Sequence, residues 1–172
     1  MPTDILLKTG QTITWKAAGG DFAITLASIA VDAARQGAKG DLGTEWGRLW
    51  VPRLTINMDV VPSAGRTIEL FWAASPNAGA ALENPGATTG ADAVYAGSAG
   101  GTVDETKFQL KFLGILVLTP DADAVVQVAD MAPFVPVHRY GMPVLVNKSD
   151  QATEGDDDSH QIELIEVIDE SQ

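Results

Sequence analysis

His138 and His160 are the only two histidines in the chain. They are the natural candidates for proton transfer near neutral pH. They lie in separate segments, and neither has a partner at ligand or triad spacing. His138 sits in Val137-His138-Arg139-Tyr140, where an outward strand position accounts for it. The chain has no cysteine, which removes thiolate nucleophiles, disulfides, zinc ribbons and iron–sulfur centres. No G-x-S-x-G elbow occurs. The glycine-rich stretches lack the Lys-Ser/Thr or the following helix that a phosphate loop needs. Asp156-Asp157-Asp158 with Glu154 supplies the oxygens a hard cation prefers, but without EF-hand spacing, so a solvated acidic loop is the simpler account. Asp121 and Asp123 flank a turn and read the same way. No two carboxylates stand out as a hydrolytic pair. The pattern predicts no enzyme, no cofactor and no metal site.

The four tryptophans, Trp15, Trp46, Trp50 and Trp72, offer one further chemistry, a platform on which sugar rings stack. Trp46 and Trp50 have the even separation that puts them on one face of a straight strand. The phase set by Leu54 and Ile56 turns that face inward, so core packing is the expectation.

The elements that must position these residues are strands. Leu54, Ile56, Met58 and Val60 alternate with Thr55, Asn57 and Asp59, a period of two with one wet face. Pro62-Ser63-Ala64-Gly65 reads as a turn. Ile68, Leu70 and Trp72 then alternate with Glu69 and Phe71, which predicts a hairpin with the preceding run. Phe108, Leu110 and Phe112 alternate with Lys107, Gln109 and Lys111. Gly114 marks a bulge or bend, and Ile115–Leu118 completes the run. The expected core is Leu54, Ile56, Met58, Ile68, Leu70, Phe108, Leu110 and Phe112.

Shorter runs fill the rest. Ile5–Leu7 and Thr12–Trp15 are two short strands around Thr9-Gly10. Phe22, Ile24 and Leu26 begin a strand that runs into a glycine-punctuated loop. Val125–Val128, Phe134–Tyr140, Pro143–Val146 and Gln161–Ile168 follow, with Pro133 and Pro136 marking the second of these as edge or kinked. Asn147–Ser159 is an acidic loop. Residues 75–106 are rich in Gly, Ala, Asn and Thr and poor in large apolar side chains. Loops that long are functional or disordered. The expectation is one all-β domain over 1–172, an antiparallel two-sheet β-sandwich of jelly-roll form. It carries a possible N-terminal arm, 1–16, and the long loop, 75–106.

Composition bounds the partners. Apolar residues make up 45% of the chain and charged residues 20%, enough for a full single core. The formal net charge of -12 repels nucleic acid backbones and anionic membrane surfaces. Neither a nucleic acid nor a membrane is an expected partner. No signal peptide or membrane-length apolar run appears, so folding in the cytoplasm is expected.

Four stretches carry a resemblance. They are Ala34-Arg35-Gln36-Gly37-Ala38-Lys39-Gly40-Asp41-Leu42-Gly43; Pro62 through Trp72, PSAGRTIELFW; Asn84-Pro85-Gly86 with Gly90-Ala91-Asp92-Ala93-Val94-Tyr95; and Arg139-Tyr140-Gly141 leading to Val144-Leu145-Val146-Asn147. In order and spacing they resemble small structural proteins of tailed bacteriophages and prophages, over roughly residues 25–150. The resemblance implies a virion component made in the bacterial cytoplasm, first of all a capsid decoration or cement protein on the head exterior. A tail or baseplate component is a variant of that reading, and a glycan-binding or host-adhesion module is the alternative. The implied partners are the major capsid protein or other virion subunits and further copies of the chain itself. Candidate subunit contacts are Ile5, Leu6, Leu7, Ile13 and Trp15 on the arm, with Asn84 and Tyr95 in the loop. An unpaired strand adds readily to a sheet edge; the arm equally serves to complete the sandwich.

Overall fold

The computed structural model describes residues 5–44, 46–120 and 125–171. Asp121 and Asp123 lie outside the described residues, as do the side chains of Ile5, Leu6 and Leu7. The described residues form ten strands: β1 Ile5–Trp15, β2 Ala34–Gln36, β3 Gly40–Asp41, β4 Leu49–Ile56, β5 Thr67–Ser75, β6 Ala93–Val94, β7 Lys111–Val117, β8 Gln127–Asp130, β9 Tyr140–Lys148 and β10 Gln161–Ser171. One short helix, α1, spans Val103–Thr106.

The strands make two antiparallel sheets packed as a sandwich. One has the order β1-β10-β4-β8, the other β6-β2-β9-β5-β7 with β3 beside β9. Set aside the two-residue strands β3 and β6, and the remaining eight pair as one ribbon. The first pairs with the last (β1·β10), the second with the seventh (β2·β9), the third with the sixth (β4·β8) and the fourth with the fifth (β5·β7). Successive rungs alternate between sheets. The ribbon closes on itself through β10·β4 in one sheet and β9·β5 in the other.

Period-two patterning explains the core between the sheets. Trp50, Leu54 and Ile56 on β4 and Ile162 and Leu164 on β10 face inward. Ile68, Leu70 and Trp72 on β5 meet them from the other sheet. Met58 is also buried, beyond the end of β4, at an isolated bridge to Thr153. At the centre the Trp15 ring lies 5.3 Å from Phe22 and 5.6 Å from Trp72. The Trp15 indole N–H donates to the Ala38 carbonyl at 2.8 Å. Gly37 and Gly40 leave the room this ring needs: a Cβ would lie 2.9 Å from Trp15 at the first and 2.6 Å at the second.

Several sequence expectations are corrected. The runs around Leu54 and Ile68 are not a hairpin, because β4 and β5 belong to different sheets and the chain crosses the sandwich between them. Ile5–Leu7 and Thr12–Trp15 are one strand with a register shift between Thr9 and Thr12. At that bulge the backbone N–H of Gln11 donates to Glu166 at 3.0 Å, and a Cβ on Gly10 would run into the same carboxylate. Ile24 and Leu26 are buried but lie outside any strand. Phe134–Tyr140 is not a strand: Phe134 makes only an isolated bridge to Trp50, and regular structure resumes at β9.

The largest correction concerns Phe108, Leu110 and Phe112. Phe108 is 78% exposed and Phe112 49%. The capping box of Thr102 and Glu105 starts α1, and a 3₁₀ turn, Lys107–Gln109, continues it, so no strand phase applies before Lys111. A register shift then falls where Leu70 pairs with Gly114 and Phe71 with Phe112. The extra residue, Leu113, turns inward, and Leu113 and Leu116 take the core positions. Gly114 is thus the predicted bulge; a Cβ there would sit 2.7 Å from the Met131 sulfur. Leu110 is buried, but in a second cluster on the far side of β5.

That second cluster also revises the picture of residues 75–106. It joins Ala34, Phe71, Ala73, Met142, Val144 and Val146 on the sheet to Tyr95 and Leu110. The chain itself holds this segment down: Tyr95 is buried and its hydroxyl donates to the Gly86 carbonyl at 2.7 Å.

Candidate functional site

The polar clusters singled out in the sequence serve the fold. The His160 ring is buried, accepts the Asn57 backbone N–H at 3.1 Å and lies 3.1 Å from the Glu154 carbonyl. In that pair of contacts Nδ1 is the acceptor and Nε2 faces a carbonyl. Asp157 accepts the Ala27 N–H at 3.0 Å, and Asp156 caps the short turn before β10. Among the described residues no three His, Asp or Glu side chains converge as a metal site. His138 borders an open cleft of about 320 Å³ beside Trp72, Gln109 and Lys111. Trp15, Trp50 and Trp72 are sealed in the core and Trp46 packs against it, so none of the first three presents a ring face for stacking.

The stretches that carry the resemblance meet in space. Arg139 forms a two-pronged ion pair with Asp41, at 2.6 and 2.7 Å. Those hydrogen bonds hold the Asp41 carboxyl below its usual range. Arg35 grips Asp92 at 2.7 Å, and Asp92 also accepts the Thr25 backbone N–H and hydroxyl at 3.1 and 2.6 Å. Burial works to raise the Asp92 carboxyl, yet the bonds from Arg35 and Thr25 outweigh it and the net direction is down. Gln36 and Thr89 exchange hydrogen bonds through their side chains and the Thr89 N–H. The Lys39 ammonium reaches Ser75 Oγ and the carbonyls of Asn77, Gly79 and Leu82 at 2.7–3.0 Å. Gly141 lies so close to the Trp72 ring that no Cβ fits. These motifs tie residues 75–95 to the β2–β9 margin.

The candidate contact residues divide. Ile13, Trp15 and Tyr95 are buried within this chain, so their side chains are not an exposed subunit surface. The backbone of Ile5–Leu7 pairs with Asp169–Ser171 of β10. Asn84 donates to the Ala80 carbonyl at 2.7 Å, and its own side-chain oxygen is buried without a partner.

Sequence reasoning missed a different surface. The two sheets end in four edges. Edge β6 has two residues and edge β8 four, too short to template another chain. Edge β1 is eleven residues long, but it is bulged, and from Lys8 on its exposed positions are Lys8, Thr9, Gly10, Gln11 and Thr12. Edge β7 differs: over seven residues it exposes Phe112, Ile115 at 46% and Val117 at 52%. These three lie on the outer face, opposite Phe71, Glu69 and Thr67 of β5. Phe112 stacks on Phe71 with ring centres 5.3 Å apart. The Lys107 ammonium sits 5.8 Å from the Phe71 ring centre and 5.5 Å from that of Phe108, which makes Phe108 the end of the same strip.

Lys107 anchors the strip from beneath. It is nearly buried and pairs with Glu69 at 2.6 Å and Asp104 at 2.8 Å. Burial pulls its pKa down, and the two carboxylates more than restore it, leaving it raised. From Lys107 to Pro120 the chain carries two lysines and no acid, in a protein with 23 acidic residues. The signal was present in the sequence: FLGILVL is apolar at both parities, more than one sheet face can bury. Compared with models of known protein families and with curated proteins, the chain matches none.

Proposed function

We propose that the chain is a non-enzymatic structural component of a tailed-phage virion, a decoration protein carried on the exterior of the head. The observation that carries this reading is the rolled eight-strand ribbon, with first strand on last and rungs alternating between two sheets. We read this ribbon as jelly-roll-like, and jelly rolls are an architecture of viral capsid domains. The phage resemblance of the Ala34–Gly43, Pro62–Trp72, Asn84–Tyr95 and Arg139–Asn147 stretches supports it. The polar groups of those stretches are consumed in holding the fold, as expected where the product is a surface rather than a reaction. A net charge of -12 suits a subunit outside the shell, away from packaged nucleic acid. Its mechanism is area: many copies, each with a modest interface, sum to tight attachment.

The test is to purify particles, quantify the chain against the major capsid protein, and locate it by electron microscopy. A regular high-copy density on the outer head surface is the expected result. Absence from particles, or a few copies confined to the tail, overturns the assignment.

A further inference from the structure

We infer that the outer margin of β7, the strip formed by Phe108, Phe112, Ile115 and Val117, is where a second copy of this chain docks, across a two-fold axis. The inference deepens the multi-copy reading above by naming the face through which copies meet.

Three observations carry it. The first is contrast between edges. Over the described side chains the other three are short, or polar and bulged, which are the means by which a sheet avoids its neighbours. Among the described side chains, edge β7 alone forms a long apolar row. Among the described residues it hydrogen-bonds only towards β5.

The second is area. At 78% and 49% exposure, the two phenylalanines leave roughly 250 Å² uncovered at ~200 Å² per side chain. Half-exposed Ile115 and Val117 add about 100 Å². In an interface about three-fifths apolar, that core implies roughly 600 Å² per copy and 1,200 Å² in all. The total reaches the lower bound for a specific pair, about 1,000–1,200 Å².

The third is charge. Two chains of net charge -12 repel one another over most of their surface. They approach most easily where acids are absent, and the segment from Lys107 to Pro120 has none. Glu69, opposite Ile115, and Asp104 are already paired with Lys107. An isologous contact sets each apolar row on its own counterpart.

The full chain at micromolar concentration in sedimentation equilibrium tests this. The wild type is expected to associate to a dimer, more tightly at higher salt as the net charges are screened. Ile115→Lys places a charge from each copy at the contact and is expected to weaken dimerisation about a hundred-fold, with the far-UV circular dichroism spectrum unchanged. Thr9→Lys, on edge β1, is expected to leave it intact. The cysteine-free background allows a second readout: Ile115→Cys is expected to cross-link on mild oxidation and Thr9→Cys is not. A wild type that stays monomeric, or a dimer indifferent to Ile115→Lys, overturns the inference. Either result leaves the particle copy number untouched, so the two readings fail separately.

Discussion

Removing β1 separates an exchanged arm from an integral strand, and Trp15 sets the magnitude. Its side chain is wholly buried, and burying roughly 150–250 Å² at about 25 cal/mol per Å² amounts to about 4–6 kcal/mol. Truncation to alanine leaves a cavity under Phe22 and Trp72 and orphans the bond to the Ala38 carbonyl. The expected cost of Trp15→Ala is therefore about 3–5 kcal/mol. With a urea slope of about 2 kcal/mol per M, the midpoint falls by roughly 2 M. Deleting residues 1–16 also removes buried Ile13 and one of the two strands that flank β10. The loss then approaches the total stability of a domain, about 5–15 kcal/mol. The shortened chain is expected to lose its cooperative transition, followed by far-UV circular dichroism so that the lost indole does not confound the signal. A shortened chain that melts cooperatively at the wild-type midpoint refutes β1 as part of the core.

Three further outcomes follow from the same packing. Leu70→Ala, at a fully buried position, is expected to cost about 2–5 kcal/mol, whereas Phe108→Ser is expected to move stability by under about 0.5 kcal/mol; chemical denaturation of both variants checks the corrected phase of this region. Lys39→Met removes the ammonium that holds Ser75, Asn77, Gly79 and Leu82, at a cost of roughly 2 kcal/mol; hydrogen exchange is expected to speed up across residues 75–90 while β4, β5 and β9 stay protected. In pH titration, Asp41, Asp92, Asp104 and Asp130 all have lowered carboxyl pKa values, so their contribution is complete above the unfolded value of 3.8 and is lost as pH falls below it; burial pushes the Tyr95 phenol from 10.0 up to about 12, so its contribution is complete below pH 10 and fades as pH rises towards 12, a loss that Tyr95→Phe is expected to abolish.

The sequence revealed what repeats over short distances. The inward phase of Trp50, Leu54 and Ile56 and of Ile68, Leu70 and Trp72 followed from period two, because each strand has one face on the core. Pairing did not follow: β4 and β5 are close in sequence and read as a hairpin, yet they sit in opposite sheets. Nothing local distinguishes a turn that reverses a strand from a crossing that changes sheets. Phe108 misled because a helical turn occupies Lys107–Gln109, although the T-x-x-E capping box ahead of it was legible. Phe71 carried the opposite lesson. A phenylalanine on the supposedly wet face of β5 signalled a second buried layer, which residues 75–106 supply. Their composition looked too poor for a core because the anchors are few: Tyr95, the Lys39 clamp and the Arg35–Asp92 pair.

Those anchors bear on how the molecule meets others. A segment lacking large apolar residues orders only if the order is supplied from outside, at about 1–2 kcal/mol per residue of backbone entropy. Here the supply is internal, from an ammonium ringed by carbonyls, a buried phenol and the Arg35–Asp92 pair. The segment therefore needs no neighbouring subunit to hold its shape. Likewise β1 spends Ile13 and Trp15 on its own core. In the two regions whose composition pointed most strongly to assembly, Ile13, Trp15 and Tyr95 are buried within the chain. The row at β7 stays exposed, where a bulge has rotated Leu113 and Leu116 inward and left Phe112, Ile115 and Val117 facing out. An apolar row at a sheet margin is a standing invitation to association. In a chain this acidic, with no acid between Lys107 and Pro120, the row also adds no like charge of its own to a contact between two copies.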